Sequence, residues 1–176
     1  ERGAVQQRAG RLGIPCSHFE CRTSDVLHCV KRYKAIVAET GAEYVALSGW
    51  LKQVVGLDLS KTFNIHPALL SQLGGRFGGK GMYGHRVHEA VKAALDAGEI
   101  NESGFTMHFV TDEMDRGPVF FEHRVPLQKG MTAEDIAAAV NKAEHEWQPK
   151  ITNMVVHEQI SWDGHDPKSL VVPDVK

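Results

Sequence analysis

Apolar and polar positions along this chain follow two periods, one helical and one extended, and the switches between them lay out the elements. Val5, Ala9 and Leu12 recur at helical spacing between charged residues, which predicts a helix over residues 1–12, with Gly13 as its stop and Pro15 just beyond. Residues 16–22 are short and mixed and read as an edge strand. Ser24-Asp25 caps a second helix, whose inner stripe is Val26, Cys29, Val30, Tyr33, Ile36 and Val37 and which ends at Gly41. Tyr44-Val45-Ala46-Leu47-Ser48 is a compact apolar run, the pattern of a strand buried on both faces of a parallel sheet. A second strand, Thr62-Phe63-Asn64-Ile65-His66, ends at Pro67.

The later half keeps the same grammar. Val87, Ala90, Val91, Ala94 and Leu95 fill one face of a helix over residues 85–97, closed by Gly98. Residues 104–110 and 119–125 alternate as two strands around an acidic turn at 111–118, a hairpin-like unit with a long loop. Thr132-Ala133-Glu134-Asp135 caps a last long helix that runs to about Trp147, before Pro149, with a further turn or two beyond. Residues 159–162 read as an edge strand and 163–176 as a loose tail. Helix, strand and hairpin in this order make an α/β chain, and 176 residues fit a single domain, residues 1–176.

Composition narrows the partners. A net charge of −2 with no basic run argues against nucleic acid, and the lack of an apolar run near 18 residues argues against a membrane span. Cys16, Cys21 and Cys29 match no zinc spacing and read as free thiols of a reducing cytoplasm. The ten histidines invite a metal, and His85 and His88 are suitably spaced on a helix. No H-E-x-x-H is present and no carboxylate joins them, so no metal is expected. Gly74-Gly75-Arg76-Phe77-Gly78-Gly79-Lys80-Gly81 satisfies G-x4-G-K, but Gly81 stands where a phosphate loop needs Ser or Thr. A flexible lid is the expected role.

Candidate chemistry gathers at two strand ends. Asn64 and His66 are two residues apart on an extended strand and project to one face, an amide donor beside an imidazole. Taken alone, N-x-H-P is more often a polar strand terminus than a catalytic pair. Gly49-Trp50-Leu51-Lys52-Gln53-Val54 follows the neighbouring strand's carboxyl end, where ligands of open α/β sheets bind. Asp115 beside Arg116, by itself, reads as a solvated pair.

Asn64-Ile65-His66-Pro67-Ala68-Leu69-Leu70, followed by Gly104-Phe105-Thr106-Met107-His108-Phe109-Val110-Thr111-Asp112-Glu113-Met114-Asp115-Arg116-Gly117-Pro118, resembles the formyltransferase family that uses 10-formyltetrahydrofolate. The likeness runs from residue 1 to about residue 162 and is to the branch that formylates glycinamide ribonucleotide in purine synthesis. It implies a Rossmann-like α/β fold: a mostly parallel central sheet flanked by helices, with a C-terminal antiparallel hairpin. It also implies an Asn64–His66–Asp115 trio, with Asp115 holding His66 cationic, and His108 as an orienter. Lys52, Gln53 and Val54 would meet the pterin through backbone groups, although Lys52 and Gln53 depart from the commoner Arg and apolar residue. Val110, Thr111, Asp112 and Glu113 match the folate-binding loop. Asn141 and Glu144 match ribonucleotide contacts, and Leu51 and Pro67 flank the substrate amine.

The implied cosubstrate is 10-formyltetrahydrofolate, with no metal, and the implied partners are small molecules bound by a cytoplasmic monomer or homodimer. The family opens with a strand and a phosphate-cradling loop that these residues do not contain. The sequence therefore reads as a fragment of a longer chain, expected to bind the ribonucleotide poorly. The alternatives are a formyltetrahydrofolate deformylase and a truncated, inactive folate-binding protein.

Overall fold

The computed structural model describes residues 2–19, 21 and 25–174. Four strands, β1 (Val45–Ser48), β2 (Thr62–His66), β3 (Glu102–Phe109) and β4 (Val119–Pro126), lie in that order in one sheet. Four helices accompany them: α1 (Arg2–Arg11), α2 (Val26–Thr40), α3 (His85–Asp96) and α4 (Ala133–Val156). β1 and β2 run parallel, whereas β2–β3 and β3–β4 are antiparallel. The sheet is thus mixed, with a smaller parallel share than the mostly parallel sheet expected.

β3 sits between two partners and is buried at seven of its eight positions, so its side chains pack on both faces. Phe63, Phe105, Met107 and Phe109 meet Val87 and Val91 of α3 and Ile136, Val140, Ile151 and Val155 of α4 in one continuous core. Each such side chain contributes about 1.5–3 kcal/mol by leaving water. β1 departs from expectation. Its burial alternates between half-buried and exposed because it is an edge strand among the described residues, and only a small cluster of Cys21, Cys29, Tyr33 and Val54 lies beneath it.

Local rules explain most boundaries. Asp25 caps α2 by accepting from the His28 amide, and Gly41 ends it in the left-handed region; Ser24 lies outside the described residues. Thr132 and Asp135 close a capping box at the start of α4. That helix continues unbroken through Pro149 to Val156, so the further turn or two expected beyond Trp147 belongs to the same helix. The proline gives up one ladder bond, and the burial of Ile151 and Val155 offsets that loss. On α2, Cys29 and Tyr33 of the expected stripe are buried while Val26 stays exposed.

Three further expectations change. The edge strand expected over 16–22 is irregular at 16–19, and Glu20 and Arg22 lie outside the described residues. Cys21 and Cys29 form a disulfide, leaving Cys16 as the exposed free thiol; placing Cys21 against the first turn of α2 brings the two sulfurs together. The tail expected to be loose is ordered by hydrogen bonds over its described part: Ser161 bridges Val171, and Trp162 Nε1 donates to Asp166 O at 2.8 Å. No helix among the described residues is long and apolar enough to cross a membrane.

Candidate active site

Sheet register builds the site. Pairing of β2 with β3 sets Asn64 opposite His108 and His66 opposite Thr106, so residues forty or more positions apart become neighbours. Asp115 arrives from the loop between β3 and β4 with φ of 56°, a left-handed conformation that Asp tolerates better than most residues. Gly117, two residues on, lets that loop close: a Cβ there would stand 1.8 Å from Phe109 O.

The side chains of His66, His108 and Asp115 are 4%, 3% and 7% exposed. Asp115 Oδ2 accepts from the Gly79 amide at 2.9 Å and lies 3.5 Å from His66 Nδ1; Oδ1 lies 3.4 Å from Asn64 Nδ2 and 3.5 Å from His108 Nε2. Two carbonyls fix the imidazoles. His66 Nε2–H donates to Phe77 O at 2.6 Å and His108 Nδ1–H donates to Phe109 O at 2.8 Å, since a carbonyl can only accept. That leaves His108 Nε2 facing Asn64 Nδ2 at 3.3 Å.

Burial raises the Asp115 carboxyl, but the His108 hydrogen bond, the nearby His66 and the Gly79 amide together outweigh it, and its pKa falls below the ordinary value. His66 moves the other way from the implied cation. Burial is the largest influence and lowers its pKa; Asp115 and the Phe77 carbonyl only partly oppose it. A neutral His66 donating through Nε2 is therefore the resting form above pH 6.5.

These groups form the floor of a cleft of about 500 Å³, a volume suited to a molecule of drug size. One wall is the segment Leu51–Val54 after β1, with Val54 buried. Facing it, Val110, Thr111, Glu113 and Asp115 line the cleft. Asp112 does not; its carbonyl instead accepts from the Gln53 side chain. Pro67 stands at the end of β2, and Asn141 and Glu144 of α4 close the far side. Burial raises the Glu144 carboxyl, with Asn141 Nδ2, 3.4 Å away, partly opposing. The apolar wall beside backbone amides fits a flat heteroaromatic ring, and the polar floor fits a reacting carbonyl, as the implied formyl folate requires. No cluster among the described residues could hold a metal ion.

Sequence reasoning missed Met82, Tyr83 and His88. The glycine-rich segment is no free lid. Phe77 is fully buried, and the segment supplies the backbone partners of both His66 and Asp115 before Met82 and Tyr83 turn into the cleft. His88 was legible as one of a helical pair, but its placement at the cleft depends on where α3 packs.

Comparison with known proteins bears on this geometry. Residues 4–152 match the family model described as formyl transferase. The chain is 36% identical over 132 residues to the chloroplastic phosphoribosylglycinamide formyltransferase of Arabidopsis thaliana, covering 72% of this chain and 42% of that protein. It is 32% identical over 177 residues to the phosphoribosylglycinamide formyltransferase of Escherichia coli, covering 90% and 74%. Among solved structures, glycinamide ribonucleotide transformylase 1 from Symbiobacterium toebii superposes with a TM-score of 0.73 at 26% identity, over 96% of this chain and 74% of that one. A formyltetrahydrofolate deformylase from Pseudomonas syringae shares the fold (TM-score 0.74) at only 17% identity, over 96% of this chain and 53% of that one. With Asn64, His66, His108 and Asp115 gathered at the floor of one cleft and the match running through all of them, the chain belongs to the formyl transferase family.

Proposed function

We propose that this chain transfers the formyl group of 10-formyltetrahydrofolate to the amine of glycinamide ribonucleotide, a step of purine synthesis. One observation carries the proposal: an ionised, buried Asp115 touching Asn64, His66 and His108 at the floor of a cleft walled by segments 51–54 and 110–115. The names of the relatives support the choice of substrate, although the chain spans under half the length of the Arabidopsis protein.

In this reaction the amine attacks the formyl carbon, a C–N bond forms, the bond to N10 breaks, and one amine proton passes to N10. Asn64 Nδ2 donates to the developing oxyanion. Its present contacts, at 3.3 and 3.4 Å, are long enough to be exchanged for one. Asp115, held ionised, takes up the amine proton directly or through a water, and the Gly79 and Asn64 amides keep its carboxylate oriented. Lys52–Val54 and the 110–113 stretch hold the pterin through backbone groups. Leu51 and Pro67 flank the amine, and Asn141 and Glu144 meet the ribonucleotide. The cytoplasm is the proposed compartment, where the Cys21–Cys29 pair would have to be reversible.

The test is formyl transfer with both substrates, comparing the wild-type chain with Asp115→Asn. Transfer that falls about a hundredfold or more in the variant supports the proposal. Hydrolysis of the formyl folate without transfer would assign a deformylase instead, and folate binding without either reaction an inert binding protein.

A further inference from the structure

Two polar side chains stand side by side on the segment after β1, and they reach in different directions. Lys52 Nζ donates to Cys21 O, away from the acidic loop, whereas Gln53 Nε2 crosses to donate to Asp112 O. Val54, next in line, is buried in the cluster under β1. Among the described residues no other hydrogen bond joins segment 49–54 to loop 110–115. The loop's own anchors lie at its two ends: the Val110 amide donates to Thr62 O at 2.9 Å, and Asp115 is held by the Gly79 amide. Between them, apart from the Gln53 bond, the bonds of the stretch 111–114 are local ones within residues 111–116, Thr111 Oγ1 to Glu113 O and the Arg116 amide to Glu113 O. Asp112 and Glu113 are exposed. Without Gln53, the middle of this loop is tied to nothing across the cleft.

We infer that Gln53 is a positioning residue: its side-chain amide pins the acidic loop to the opposite wall and so sets the width of the slot that takes the pteridine ring of the cosubstrate. This inference rests on the formyl-transfer proposal for the identity of the ligand, but not for the clamp itself. A flat heteroaromatic ring gains dispersion contact only when both walls sit at van der Waals distance, and a gap of 0.5–1 Å already forfeits about a quarter to a half of each contact. Holding the loop before the ligand arrives also removes part of the ordering cost of binding. The effect falls on binding and not on chemistry, because Asp115 keeps its own partners in Gly79, Asn64, His66 and His108, none of which depends on Gln53. An apolar side chain at this position cannot make the bond.

The test uses Gln53→Leu and Gln53→Glu, neither of which can donate to the Asp112 carbonyl, and Gln53→Lys, which keeps an N–H donor on a longer stem. Expected for the first two is a KM for 10-formyltetrahydrofolate raised about fivefold, the size of one neutral hydrogen bond, with kcat within about twofold. Gln53→Lys is expected to return most of the loss. Cleavage after Glu113 by a glutamate-specific protease, in protein without ligand, should be several-fold faster in the Leu and Glu variants, with unchanged melting temperature. KM unchanged in these variants, kcat falling in step with affinity, or protease rates equal to wild type would each overturn the inference. If the wild-type chain transfers no formyl group, the functional proposal fails, while the protease rates still decide the clamp.

Discussion

Asn64 is half buried at the floor of the cleft, and its amide is held there by long contacts that can be exchanged. Asn64→Ala should lower kcat about 10²–10³-fold while KM for either substrate changes little, because an oxyanion donor acts only as charge develops. Asn64→Asp keeps the size but sets a second carboxylate where the amide now lies 3.4 Å from Asp115. The two would share a proton, so kcat should fall at least as far, with an added rise in the pH at which activity appears. A large KM change with kcat preserved would move Asn64 out of the chemistry. These roles were legible in outline, since strand periodicity alone sets Asn64 and His66 on one face. The ionisation of His66 was not: the cation implied by Asp115 assumed that the carboxylate dominates, and burial is the larger influence.

The segment from Gly74 to Gly84 shows why composition misleads at the scale of an element. A glycine run reads as mobile because glycine restricts the backbone least, yet here successive turns carry the chain tightly past the site: Gly75 N to Gln72 O, Gly78 N to Gly75 O and Met82 N to Gly79 O. The glycines serve close approach. A Cβ on Gly78 would lie 2.3 Å from Leu70 Cδ2 and 3.2 Å from Asp115 Cβ. Gly78→Ala should therefore displace the carboxylate by a few tenths of an ångström, lowering kcat about tenfold with a modest loss of melting temperature. A true lid would instead leave kcat alone and change substrate release. What the sequence made visible was whatever local chemistry decides: the caps of α2 and α4, the period of α3 and the two hairpin strands. The exposure of β1, the passage of α4 through Pro149 and the Cys21–Cys29 pairing follow from packing between distant segments, which no local window contains.

Taken as a whole, the molecule links its stability to pH through two of the imidazoles buried beside its cleft. His66 and His88 both have pKa values lowered from 6.5, in each case chiefly by burial; for His88, His85 and His66 add to the effect. Between the lowered folded values and the unfolded value near 6.5, the unfolded chain binds more protons than the folded one, so stability rises with pH across that window. The contribution is fully present above 6.5 and is lost as pH falls through the folded values. Each group can add a slope of up to about 1.4 kcal/mol per pH unit where it is protonated only in the unfolded chain. Asp115, lowered from 3.8, acts in a separate window, its contribution present above that value and lost as pH falls through the folded one. Glu144 has the opposite sign, since its raised pKa favours the folded state as pH falls toward 4.5. Urea unfolding at intervals between pH 5.5 and 7.5 should show stability declining on acidification, and His88→Gln should flatten that decline without affecting the loss below pH 4. His88 is the informative position because its ring Nδ1 is buried with no hydrogen-bond partner among the described residues, so replacing it removes a titrating group and breaks no bond. A profile that stays level through pH 6.5 in the wild type, or a variant with the same slope, would mean that these imidazoles are solvated in solution and that the packing of α3 against the cleft is looser than the structure shows.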